Sequence, residues 1–146
     1  MASSRERLSG GALNAALANE LGKLVADFTG RGATRSRAFI HQDLVVCLFE
    51  DAATRSEQHL VAAGKSELVR WQRDALQRAM AARLVAAVER LTGRTVRTFL
   101  SGSDEDCRSA IEAFVLEPEP LGSDQAVVAL PDDRVGDWAS AADGQV

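Results

Sequence analysis

Tyrosine is absent from this 146-residue chain and aromatics make up only 5% of it, so the interleaved aromatic platforms on which single-stranded bases stack are missing. Histidine is nearly as scarce. His41 has Asp43 beside it and His59 no obvious second ligand, short of the three or four converging N and S ligands that a zinc site typically wants. The two cysteines, Cys47 and Cys107, form no C-x-x-C pair, and Cys47 sits inside an apolar run where a buried thiol is the usual occupant. A structural disulfide is therefore the less favoured reading. No segment approaches the ~20 consecutive apolar residues of a membrane-spanning helix. The start, MASSRERLSGGALNAALANELGK, breaks its apolar positions with Asn14, Asn19 and Glu20 and so lacks a secretory core. These absences lead us to expect a cytoplasmic protein, with any membrane association peripheral, at the inner face and through a partner. No Gly-x-Ser-x-Gly, His-Glu-x-x-His or Walker signature occurs, and the expectation is a non-enzyme without cofactor or metal.

What is present is an ordinary apolar fraction of 46% with 26% charged residues, enough for one domain with a core. The charge is unevenly spread. From residue 118 onward stand Glu119, Asp124, Asp132, Asp133, Asp137 and Asp143 against Arg134 alone, so the net charge of −4 belongs to the tail. The body is close to neutral and gives no strong nucleic-acid signal. Its basic residues are almost all arginine, lysine occurring only at Lys23 and Lys65.

Periodicity organises the body. Leu13, Leu17, Leu21, Leu24, Val25 and Phe28 make one stripe of a helix over 11–29, ended by Gly30. RAFI and LVVCLFE flank the polar HQD and read as a hairpin, the second strand apolar on both faces and hence central or covered by a partner. Thr54–Glu57, TRSE, matches a capping box and opens a short helix closed by Gly64. Ser66 is then placed to cap the longest helix, with Val69, Leu76, Met80, Leu84, Val88 and Leu91 at helical spacing as far as Gly93. TVRTFLS, the acidic turn GSDEDC and SAIEAFVLE form a second hairpin that stops at Pro118. Each half is thus helix, Thr-Gly-Arg, strand with Arg-x-Phe, polar turn, apolar strand ending in an acid. The duplicated helix-strand-strand unit predicts an α+β two-layer sandwich: a four-stranded antiparallel sheet of two β-hairpins with helices on one face. The expected domains are a flexible N-terminus (1–10), a single α+β domain (11–118) and an acidic, mobile C-terminal tail (119–146), with at most one docked turn or strand at Val127–Leu130 and Trp138 as its anchor.

The first Thr-Gly-Arg lies in a richer loop than the second. Gly30 and Gly32 can turn backbone N–H groups toward an anion, and Arg31, Arg35 and Arg37 can supply forked donors, so these five residues are the candidate binding site for an anion or nucleotide. The competing reading is a helix joint, in which a C-terminal glycine and a cation suit the negative helix end and require no ligand. His41 with Asp43 reads as a hairpin turn, and Ser103–Asp106 as a solvated acidic turn. Arg70, Arg73 and Arg78 share a helix face that is too diffuse to dock a nucleic acid.

The ordered blocks GRGATRSRAFIHQDLVVCLFEDAAT, SEQHLVAAGKSELVRWQR, VERLTGRTVRTFLS and EAFVLEP resemble those of the MpsC-like family of small bacterial proteins, over about Leu13 to Pro118. Ala33 departs from the proline that members often carry after Gly-Arg-Gly, which loosens the loop as an anion cradle. The resemblance implies a component of a sodium-translocating, membrane-potential-generating system whose genes accompany a membrane protein linked to inorganic-carbon or cation movement. It brings no catalytic residues. On this resemblance the chain is expected to be a soluble accessory or regulatory component acting by protein–protein interaction, with a membrane transport protein as partner; the Leu44–Phe49 strand, apolar on both faces, adds homodimerisation through the sheet as a related possibility. The alternative is an anion- or nucleotide-binding module using the Gly30–Arg37 loop.

Overall fold

A computed structural model describes residues 8–33 and 35–119. Three helices and four strands follow in the order α1 (Gly10–Thr29), β1 (Arg35–His41), β2 (Leu44–Glu50), α2 (Arg55–Ala62), α3 (Ser66–Thr92), β3 (Val96–Ser103) and β4 (Ala110–Leu116). The strands form one antiparallel sheet in the order β1-β2-β4-β3, the α+β sandwich that the duplicated pattern predicts. Two hairpins joined through their second strands, with that central pair antiparallel, are what a helix-strand-strand unit and its two-fold copy produce. The anchors expected at Val127–Leu130 and Trp138 lie outside the described residues, as does most of the expected N-terminal segment.

Local chemistry explains the boundaries. Both glycines of the Thr-Gly-Arg segments end helices in the left-handed region, Gly30 at φ 75° and Gly93 at φ 69°, and donate their N–H groups to Ala26 and Glu89 carbonyls. A side chain would strain either turn. The Thr54–Glu57 capping box forms as expected: Thr54 N–H donates to the Glu57 carboxylate at 2.7 Å, and Glu57 N–H to the Thr54 hydroxyl at 3.2 Å. Ser66 does not cap α3. It is the first helical residue, and the Lys65 carbonyl instead takes the N–H groups of Leu68 and Val69.

The helices cover one face of the sheet. Leu13, Leu17, Leu21 and Val25 of α1 meet Met80, Leu84, Ala87 and Val88 of α3 over Ala38, Val45, Cys47, Phe49, Phe114 and Leu116. Burial of each such side chain contributes roughly 1.5–3 kcal/mol, so this single layer carries most of the stability. The alternation of β2 and β4 decides which residues enter it, since Val45 pairs with Phe114 and Cys47 with Glu112 across the central ladder.

The two halves differ at one place. Between Val96 and Thr98 the β3–β4 register shifts by a residue, a bulge at Arg97. A slip of one residue moves every later side chain to the other face. Phe99 therefore points inward and stacks on Phe114 with ring centroids 5.0 Å apart, whereas its counterpart Phe39 points outward and is 53% exposed.

Candidate functional site

The face of the sheet turned away from the helices is apolar across both central strands. Its middle row runs Phe39, Val46, Ala113, Leu100, one residue from each strand in register. The neighbouring row at one end is Arg37, Leu48, Ile111 and Gly102, and at the other His41, Leu44, Val115 and Thr98. Four large apolar side chains stand out of this surface, Phe39 at 53%, Leu100 at 58%, and Leu44 and Ile111 at 43% each. They surround the smaller Val46 and Ala113, which makes a shallow apolar basin with raised walls. Scattered exposed leucines need no explanation, whereas these side chains form one patch contiguous across four strands. The reading of Leu44–Phe49 as a strand apolar on both faces anticipated part of it, and β2 is central in the sheet; the contribution of β1, β3 and β4 required the register.

The charges of this face lie at its ends. Arg35 and Arg37 stand at the start of β1 beside Glu50, at 3.7 and 3.4 Å from one of its oxygens. At the same end, across the sheet, lies the acidic turn after β3, where Asp104 N–H bonds to the Ser109 carbonyl at 3.1 Å and Asp104 Oδ1 accepts from Ser109 N–H at 2.9 Å. Asp104, Glu105 and Asp106 are all exposed.

The five residues of the predicted anion loop are divided between two tasks. Thr29 donates its hydroxyl to the Val25 carbonyl at 2.9 Å and accepts Arg31 N–H at 3.4 Å; Thr92 does the same with the Val88 carbonyl at 2.7 Å and Arg94 N–H at 3.2 Å. The shared hydrogen bonds show why the tripeptide recurs: each copy closes a helix and aims an arginine at the hairpin. Arg31 donates to the Ala53 carbonyl and lies 3.3 Å from Asp51, just beyond β2. Arg94 donates to the carbonyls of Gln42 and Glu117 and pairs with Asp43, fastening the first turn to the end of β4. Gly30 forms the helix stop and Gly32 packs near the Ala26 side chain. Arg35 and Arg37 belong with Glu50 on the strand.

A second polar cluster lies inside the domain. Glu112 of β4 is fully buried, accepts a hydrogen bond from Gln77 of α3 through Oε1, and has no partner for Oε2 among the described residues. Burial pushes its carboxyl up to about 7, against hydrogen bonds from Ser101 and Gln77 that favour the ionised form. Its cross-strand neighbour Cys47 is pushed up to about 12 by burial and by the Glu112 charge, so this thiol is neutral and inert. Nearby, Glu57 and Arg73 form a nearly buried pair with contacts of 2.9 and 3.0 Å. Burial pushes Glu57 up, but Arg73 and Thr54 outweigh it and hold the carboxyl below the ordinary range. A cavity of about 40 Å³ lies among these groups, with Phe49, Met80, Gln77 and Glu112 in its wall. Room for about one water is too little for an organic substrate. Glu112 was missed in the sequence, although an acid at the core-facing position of the alternating AIEAFVL is its signal. Arg73 does not join Arg70 and Arg78 on a basic face: it turns inward to Glu57, and Arg70 donates to the Glu105 carbonyl at 3.1 Å.

Among the described residues no group of His, Cys, Asp and Glu is arranged to hold a metal ion, and no helix is long and apolar enough to cross a membrane. No curated protein matches the chain, and no solved structure matches it. The model of the family described as "Na+-translocating membrane potential-generating system (MpsC)" matches residues 9–118, the helices and strands described above from end to end. The chain belongs to the MpsC family.

Proposed function

We propose that this protein is a soluble, non-enzymatic accessory or regulatory component of the membrane-potential-generating transport system for which its family is named, acting by protein–protein contact through the open face of the sheet. The observation that carries the reading is the apolar basin around Val46 and Ala113, walled by Phe39, Leu44, Leu100 and Ile111. A domain that covers its helical side with a complete core and leaves the other side of the same sheet apolar is built to be completed by another protein. The alternative, an anion- or nucleotide-binding loop at Gly30–Arg37, draws less support because its arginines are divided, Arg31 directed to Ala53 and Asp51 and Arg35 and Arg37 standing on β1 beside Glu50.

The test is site-specific photocrosslinking in cells. A photoreactive residue at Ala113, in the basin, should give protein adducts, and the same residue at exposed Gln72 on α3 serves as the comparison. Absence of any protein adduct from Ala113, in a variant with an unchanged melting temperature, would refute the assignment of this face as a protein contact.

A further inference from the structure

We infer that in the free protein the open face is covered by the chain's own C-terminal segment, with residues 126–130 lying in the apolar basin and Asp132 and Asp133 meeting Arg35 and Arg37. The inference rests on the reading of this face as a contact surface and names what lies on it before a partner binds.

Composition selects the segment. Outside the described residues the longest apolar run is Ala126, Val127, Val128, Ala129 and Leu130, set between Asp124 and the pair Asp132 and Asp133. Alternation in an extended segment puts Ala126, Val128 and Leu130 on one side. The floor they would meet, Val46 and Ala113, is low between walls at Phe39, Leu44, Leu100 and Ile111, so a segment of small side chains can sit close to it. The tether favours the same occupant. The chain leaves the sheet at the end of β4, where Glu117 N–H donates to the Thr95 carbonyl at 2.8 Å and Arg94 donates to the Glu117 carbonyl at 2.8 Å. From Glu119 to Val128 the chain can span about 30 Å at ~3.3 Å per residue, whereas the way from Glu119 back along β4 to Ala113 is about 20 Å. The difference leaves room for the reversal that Pro120 and Gly122 suit. A segment tethered this closely meets the face at an effective concentration in roughly the mM range, so a contact too small to hold a free peptide is occupied.

Charge placement agrees with the direction of travel. The segment starts at the end of the sheet where Arg94 already holds Asp43 and Glu119, and a run back across the face leads to the opposite end. There Arg35 and Arg37 share the face with Phe39 by alternation along β1, with the single carboxylate of Glu50 beside both. Arg35 is 66% exposed and retains free donors, and Arg37 Nε is buried without a hydrogen-bond partner among the described residues. The acids of the β3–β4 turn do not serve this corner. Arg70 of α3 holds the Glu105 carbonyl, and Asp106 shares a cleft with Gln58 and Val61 of α2, on the helical side. Spacing fits as well, because Asp132 follows Val128 by the interval at which Glu50 follows Val46. With Val128 over Val46, the two aspartates arrive at the level of Arg35, which pairs with Glu50, and within reach of Arg37.

Photocrosslinking within the purified full chain tests this. A photoreactive residue at Ala113 should give an intrachain link to residues 126–133, in equal yield at ~1 and ~100 µM protein. Val128→Asp with Leu130→Asp, which alters no residue of the described core, should lower that yield about fivefold or more. In the otherwise unlabelled full chain the same pair should shift the backbone amide NMR signals of residues 44–48 and 111–115 and leave those of α3 in place. Asp132→Arg with Asp133→Arg should lower the yield about threefold, and adding Arg35→Glu with Arg37→Glu should restore it. If the photoreactive residue disturbs the fold, the amide shifts decide alone. No link to residues 126–133, a yield or amide spectrum indifferent to Val128→Asp with Leu130→Asp, no restoration by the charge swap, or a link to a second copy that grows with concentration would each overturn the inference. In cells, Val128→Asp with Leu130→Asp should increase the adducts of Ala113 with another protein. Such adducts without the intrachain link would keep the contact surface and overturn the C-terminal segment as its cover.

Discussion

Glu112→Gln should stabilise the protein above neutral pH and change it little in mild acid. The carboxyl is buried on the core side of β4, and burial pushes its value from an ordinary 4.5 to about 7. The native state thus holds a proton that the unfolded chain releases. Because the unfolded state binds fewer protons between these values, stability falls as pH rises from about 4.5 to about 7 and is level above. A difference of this size corresponds to about 3 kcal/mol lost across the window. Glutamine keeps an acceptor for Gln77 without the charge, at the cost of a weaker hydrogen bond worth ~1 kcal/mol. The net gain expected at pH 8 is therefore about 2 kcal/mol, and near zero at pH 5. Glu57, held below the ordinary range, contributes stability that is lost as pH falls below about 4.5, so the two windows are separate. Urea unfolding at pH 5, 6, 7 and 8 measures the effect, with the wild-type midpoint descending relative to that of Glu112→Gln. A constant difference between the two proteins over this range, or a variant less stable at pH 8, would refute the assignment of Glu112 as a buried, proton-holding carboxyl.

Further expectations follow from the joints and the buried pair. Arg94→Ala should cost about 1–2 kcal/mol in chemical denaturation and Arg31→Ala less than ~1 kcal/mol, because Arg94 is far more buried and holds two carbonyls as well as Asp43. Equal losses would show that helix-end electrostatics, common to both, dominates. Glu57→Ala should lower stability by about 3 kcal/mol, since it strands Arg73 in a nearly buried position and opens the α2 capping box. A double variant with Arg73→Met should recover part of that loss, and no recovery would mean that the cap rather than the ion pair is at stake. In the native protein neither Cys47 nor Cys107 should react with a thiol reagent, both being buried, and both should react in denaturant.

The sequence by itself determined the element order, the two glycine stops, the Thr54–Glu57 box and the sandwich, because each rests on contacts within a few residues or on one period of hydrophobic spacing. The repeated tripeptide is likewise local: threonine binds the carbonyl four residues back and glycine supplies the left-handed turn. Where Arg31 and Arg94 reach was not legible, since their partners stand 20 to 52 positions away in the chain. Nor was the fate of the Arg-x-Phe echo. Phe39 and Phe99 are the same signal in sequence, yet a single bulged residue at Arg97 sends one to the open face and the other onto Phe114. Arg73 and Glu112 follow the same rule, being an ordinary surface-type arginine and glutamate whose burial comes from α2 crossing α3 and from the register of β4. The open face itself is a product of pairing, because Phe39, Val46, Ala113 and Leu100 come from four separate strands and only hydrogen-bond register places them in one row.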